Sequence, residues 1–138
     1  MNRTFPALVT AAVMTLAVTV AARQDNPHAT ATVKEVMLAM TIPASDAIFS
    51  AAFETPKDAQ AWKDVRQSAL TLAESGTLLM SGERAKDNST WLDMSRALVA
   101  QAQAALKAID AKDPDALATA GDDLYVTCKT CHDRYAKT

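Results

Sequence analysis

The sequence predicts an all-α protein that folds as an antiparallel four-helix bundle. Glycine occurs only 3 times in 138 residues, alanine is abundant, and no alternating β-branched run follows residue 22. Prolines and short polar turns divide the remainder into four segments in which apolar residues recur at helical spacing. Helices of about 20 residues span roughly 30 Å, a length suited to a bundle with a cofactor between its helices.

The first predicted helix runs from about Thr30 to Phe53, and Pro43 is expected to kink or interrupt it. The second begins with Thr55 as N-cap and Pro56 at the first helical position, and it ends at Ser81-Gly82. The residues of the second helix that step by three and four, and so should face the bundle, are Trp62, Val65, Ala69, Leu72, Gly76 and Leu79.

The third predicted helix follows the polar turn at 86–89, and the fourth begins at Asp113-Pro114, an N-cap followed by proline. The inward positions of the third are Trp91, Leu92, Leu98, Ala102, Ala105, Leu106 and Ile109. Those of the fourth are Leu117, Ala120, Leu124, Cys128, Cys131 and Tyr135. Both cysteines of the chain are therefore expected on the core-facing side of the last helix.

These cysteines form the motif Cys128-Lys129-Thr130-Cys131-His132, a C-x-x-C-H that is typical of c-type haem attachment. Each thiol can form a thioether with a haem vinyl group, and the adjacent imidazole can bind the iron. Residues three apart share a helix face, and His132 lies one turn beyond Cys128. The motif predicts one covalently attached haem c.

Three other interpretations of the motif are weaker. A thioredoxin-like C-x-x-C would follow a strand in a βαβ unit, and no such pattern precedes it. A zinc site needs four ligands, and beyond the motif only His28 remains. A disulfide between Cys128 and Cys131 would have to close within one helical turn, which is poor geometry for a structural bridge.

The N-terminus has the pattern of a secretory signal peptide. Arg3 is followed by an uncharged run from Phe5 to Ala22 that ends in the small residues Val20-Ala21-Ala22. The alternative is a retained membrane anchor, for which the run is long enough. We expect cleavage after Ala22, give or take a few residues, so that 1–22 is the signal peptide and 23–138 is one domain. Because c-type haem is attached outside the cytoplasmic membrane, export predicts a periplasmic protein.

Charge and motifs narrow the functional class. The formal net charge is −2, and no basic stripe is present, so nucleic acid is not an expected partner. No hydrolytic triad, phosphate loop or paired carboxylates stand out, and the first helix lacks the His or Arg that a haem peroxidase would need. The sequence does not indicate an enzyme.

The segment Tyr125–Tyr135, with its C-x-x-C-H close to the C-terminus of a four-helix chain, resembles the end of class II cytochromes c, the cytochrome c′ family. The resemblance extends over residues 23–138 in helix order and length, although only this segment is specific. It implies thioethers at Cys128 and Cys131, His132 as the proximal iron ligand, and Tyr135 packed near the haem. It also implies that a homodimer through the first two helices is possible.

The family divides by what faces the other side of the iron. In low-spin members a methionine of the first helix binds it, and here Met37 and Met40 are both candidates, with Met37 favoured by its distance from the second helix. Such a protein would carry single electrons to a periplasmic or membrane-bound redox partner. In high-spin members an apolar side chain blocks the site, and the open iron binds nitric oxide or other small gases. In that alternative neither methionine is a ligand.

Overall fold

The computed structural model describes residues 29–87 and 89–136, and this part of the chain is all-helical, without strands. Its four long helices are α1 (Val33–Phe53), α2 (Ala59–Leu79), α3 (Thr90–Ala111) and α4 (Pro114–Tyr135). A single 3-10 turn, Gly82–Arg84, lies in the connection between α2 and α3. The predicted all-α class with four helices is confirmed. The predicted signal peptide at 1–22 and His28 lie outside the described residues.

The helices contact one another in a ring: α1 packs on α2, α2 on α3, α3 on α4, and α4 returns to α1. This is the arrangement of a four-helix bundle, and the short connections make consecutive helices antiparallel neighbours. The fully buried centre contains one large aliphatic side chain from α1, one from α2 and two from α4: Ile48, Leu72, Leu117 and Leu124. The predicted inward positions of α2, α3 and α4 are buried or pack against this core as half-buried residues, with the exception of Cys131, which is half-buried but is not among the residues packed on the core.

Carboxylate N-caps set the starts of α2 and α4, and the cap of α2 corrects the sequence prediction. Asp113 caps α4 as predicted, since its side chain accepts the Ala116 N–H at 3.0 Å. The predicted N-cap at Thr55 is wrong: α2 begins at Ala59, and the Asp58 carboxylate accepts two backbone N–H groups, those of Gln60 and Ala61. The first N–H groups of a helix have no partner within the helix, and here one charged carboxylate accepts two of them. This favours a helix that begins after Asp58 rather than after Thr55.

Helix α1 does not break at Pro43. It passes through a π-helical segment, Met37–Thr41, in which the Ile42 N–H bonds to the Met37 carbonyl, and then continues as α-helix to Phe53. A proline lacks an N–H and its ring clashes with the carbonyl four residues earlier, so a local change of hydrogen-bond register allows the helix to continue. The buried Thr41 anchors the segment, because its hydroxyl donates to Ser75 of α2 at 3.0 Å.

Helix α1 is also long and apolar enough to cross a membrane. Membrane spans, signal sequences near an N-terminus and core helices share this length and composition. In the bundle, a third (33%) of its most apolar stretch is buried.

Gly121 marks the closest approach of α4 to α1. A Cβ added to it would lie 2.9 Å from the Cβ of Ala52, which belongs to a short side chain and has no rotamer to escape into. We expect Gly121→Val to lower the free energy of unfolding by about 1–3 kcal/mol, because the two helices must move apart. Chemical denaturation of the variant and the wild-type protein measures this difference in the free energy of unfolding. Ala104→Val, at an exposed position of α3, carries only the helix-propensity cost of a β-branched residue, about 0.7 kcal/mol or less. Equal losses in the two variants would contradict the close contact.

Candidate functional site

Two adjoining cavities open beside the C-x-x-C-H turn of α4. The inner cavity, about 230 Å³, lies between α1, α3 and α4, with Leu79 of α2 in its wall. The outer cavity, about 570 Å³, lies between the start of α1, the connection before α3 and the end of α4. The two cavities share five wall residues: Met37, Ile42, Trp91, Cys131 and His132. The two cavities therefore adjoin at these residues, and Cys131 and His132 of the motif lie in their shared wall.

The bundle places Cys128, Cys131 and His132 together in the wall of the inner cavity. Both cysteines are half-buried free thiols; Cys128 lies on the inner cavity and Cys131 on both. Burial raises the pKa of each thiol, and in Cys128 the neighbouring Cys131 raises it further. Reactive or metal-binding cysteines need the thiolate, which a positive environment would favour. These thiols are instead kept neutral in apolar surroundings.

In the described part of the chain, Cys128, Cys131 and His132 are not joined by further metal-binding side chains. Within 29–87 and 89–136, no group of three or more His, Cys, Asp and Glu side chains is arranged to hold a metal ion. The chemistry of the site is that of two neutral thiols and an imidazole facing an apolar cavity.

The two candidate methionines of α1 occupy different positions. Met37 is half-buried and lines both cavities, across from the turn that carries Cys131 and His132. Met40 lines neither cavity. A methionine that the sequence did not favour, Met94 of α3, lies in the wall of the inner cavity. Its only signal in the sequence is a helical step of three from Trp91.

A hydrogen-bonded clamp holds the end of α4 to the start of α3. The Asp87 carboxylate accepts the backbone N–H of Trp91 at 2.8 Å through one oxygen and a short hydrogen bond from the Tyr135 hydroxyl through the other. The Trp91 and Tyr135 rings meet edge to face, with centroids 4.9 Å apart. The buried Trp91 indole N–H donates to the Leu79 carbonyl at 2.7 Å. Tyr135 follows His132 by one turn, so the clamp fixes the turn that carries the motif.

The clamp predicts a specific pH dependence of stability. The hydrogen bond from the Trp91 N–H, followed by that from Tyr135, lowers the pKa of Asp87 below its ordinary value of 3.8. A carboxyl whose pKa is lowered by folding stabilises the fold above its unfolded-state pKa and loses this effect as the pH falls through its folded-state pKa. We expect Asp87→Asn to lower the melting temperature at pH 7 and to lose this deficit as the pH falls below 3.8.

Thermal unfolding followed by circular dichroism between pH 3 and 7 measures this difference. The matched control is Asp122→Asn, at an exposed carboxylate of α4 away from the clamp. A deficit that is the same at every pH, or one shared by the control, would contradict the role of the Asp87 carboxylate.

The cationic residues around the motif are held locally. The Lys129 ammonium pairs with Asp133 at 2.5 Å, and the Arg134 guanidinium lies 5.5 Å from the centroid of the Tyr135 ring. Their positive charge in the last turns of α4 also suits the negative end of the helix dipole. Lys137 lies outside the described residues.

Comparison of the chain with protein-family models, with curated proteins and with solved structures finds no match. The features that bear on the class of protein are therefore the motif and the cavities.

Proposed function

We propose that this chain is a c-type cytochrome of the class II kind, which carries single electrons through a covalently bound haem. The observation that carries the proposal is the position of Met37, which shares both cavities with Cys131 and His132. A C-x-x-C-H motif alone would predict attachment; a thioether group across the same apolar space also provides a second axial ligand.

The residues of the site fit a haem c. Cys128 and Cys131 would carry the thioethers, His132 would be the proximal ligand and Met37 the distal one. When bound, the haem supplies the one-electron chemistry of its iron. The chain's own part is to attach it, to exclude water with apolar walls such as Trp91 and Leu98, and to bias its potential. A neutral methionine ligand favours the reduced iron and so a higher potential.

The proposal extends to location and partners. The signal-like run before residue 23 supports export to the periplasm, where thioethers are formed, and an acceptor or donor there or at the membrane would be the redox partner. Two exposed apolar side chains that line neither cavity, Phe53 of α1 and Leu70 of α2, are compatible with a homodimer through the first two helices.

Visible spectra of the protein purified from a periplasmic extract test this function: oxidised, reduced, and reduced under carbon monoxide. Two axial ligands predict sharp low-spin bands that do not change with carbon monoxide. Broad high-spin bands that shift with the gas would overturn the electron-carrier proposal in favour of gas binding at an open iron. A protein without covalent haem would overturn both.

A further inference from the structure

From the outer cavity we infer that Lys34 and Lys86 pair with the carboxylate groups at one edge of the haem, and so fix which end of the ring faces solvent. This inference rests on the proposed function. The outer cavity is otherwise lined largely by apolar and aromatic groups, yet both lysines reach its wall from different parts of the chain. Lys34 comes from the first turn of α1 and Lys86 from the connection before α3.

The two cavities differ in charge in a way that matches a haem. Among residues 29–87 and 89–136, the inner cavity is lined by Cys128 and one acidic residue, Asp46, and by no lysine or arginine. Within the same ranges, the outer cavity is lined by the two lysines and by no acidic residue. Haem has its two vinyl groups and its two propionates toward opposite sides of the ring. Attachment at Cys128 puts a vinyl edge at the inner cavity and leaves the outer one for the propionates.

The acidic residues next to the two lysines in sequence are engaged in other hydrogen bonds. Glu35, next to Lys34, is taken up by the capping box of α1, where its carboxylate accepts the Thr32 N–H at 2.8 Å. Asp87, next to Lys86, accepts the hydrogen bonds of the clamp. Both lysines are exposed, and four-carbon stems allow their ammonium groups to follow a carboxylate at the cavity mouth.

Reduction potentials test the pairing. An ammonium beside each propionate offsets a negative charge that would otherwise favour the oxidised iron. Lys34→Gln and Lys86→Gln should therefore each lower the midpoint potential at low ionic strength, and the double variant should lower it further. Added salt should reduce these differences, because the lysines are exposed. Lys107→Gln, an exposed lysine of α3 that lines neither cavity, is the control and should leave the potential unchanged.

Reduced-minus-oxidised infrared difference spectra provide a second readout. Loss of a paired ammonium should shift the propionate carboxylate bands in both lysine variants and not in Lys107→Gln. Potentials equal to wild type, or lowered potentials with unmoved carboxylate bands, would overturn the pairing while leaving the cytochrome proposal intact. Wild-type protein without covalent haem would overturn the proposed function itself.

Discussion

Replacing both Cys128 and Cys131 with alanine is expected to abolish covalent haem attachment completely. Each thioether needs its own sulfur, and Cys128 and Cys131 are the only two cysteines in the sequence. Haem staining of the denatured protein after electrophoresis, together with its intact mass, measures the bound group. Much of the helical content should remain, because the fully buried side chains of the core lie elsewhere, in Ile48, Leu72, Leu117 and Leu124.

The single variants are the controls for this loss. Cys128→Ala and Cys131→Ala should each retain at most one thioether, so that some covalent haem remains while its absorption bands move. A double variant that still carries haem after denaturation would contradict attachment at this motif.

His132→Ala should keep the attached haem but lose the wild-type spectrum, because the imidazole is the ligand next to the attachment site.

Met37→Ala is expected to change the iron from low-spin to high-spin and to open it to carbon monoxide. The variant removes the Met37 thioether, which lines the same two cavities as Cys131 and His132. The midpoint potential should fall as well, since loss of methionine ligation removes a preference for reduced iron. Visible spectra with and without carbon monoxide, followed by redox titration, measure both effects.

Two methionines provide matched controls. Met40→Ala lies three residues away on the same helix but outside both cavities, and it should keep the low-spin spectrum. Met94→Ala removes a methionine from the inner cavity wall without removing the proposed ligand, so it should shift the bands only slightly. A spin change in Met40→Ala or Met94→Ala, with none in Met37→Ala, would contradict the assignment of the distal ligand.

The starts of α2 and α4 show which helix boundaries a local sequence pattern can predict. The same pattern, a capping residue followed by proline, occurs at Asp113-Pro114 and at Thr55-Pro56, and it predicts the first correctly and the second wrongly. The difference is Asp58, a charged acceptor that satisfies two backbone donors where the Thr55 hydroxyl would satisfy one. A choice between competing caps depends on their relative free energies, which the pattern alone does not contain.

The candidate site, like the helix starts, has features that local sequence patterns predict and features that they do not. Cys128, Cys131 and His132 lie in one cavity wall, and their closeness to one another follows from their spacing within a regular helix, which the sequence does contain. The Asp87–Tyr135 hydrogen bond joins residues 48 apart in sequence, and no local pattern marks it. Helical spacing alone does not separate Met37 from Met40, because residues three apart lie on the same face of a regular α-helix. The π segment makes them diverge.

The π segment also means that one residue more than a regular helix needs is accommodated between Met37 and Thr41. Loss of the single codon for Ala39 would remove that residue and leave an uninterrupted α-helical register. Because the π segment already absorbs that residue, Met37 should keep its face relative to Ile48, which fixes the core-facing side of Ile42–Phe53. The cost of such an in-frame deletion would fall on stability rather than on the coordination of the iron, because the Pro43 ring would then clash with the carbonyl four residues before it.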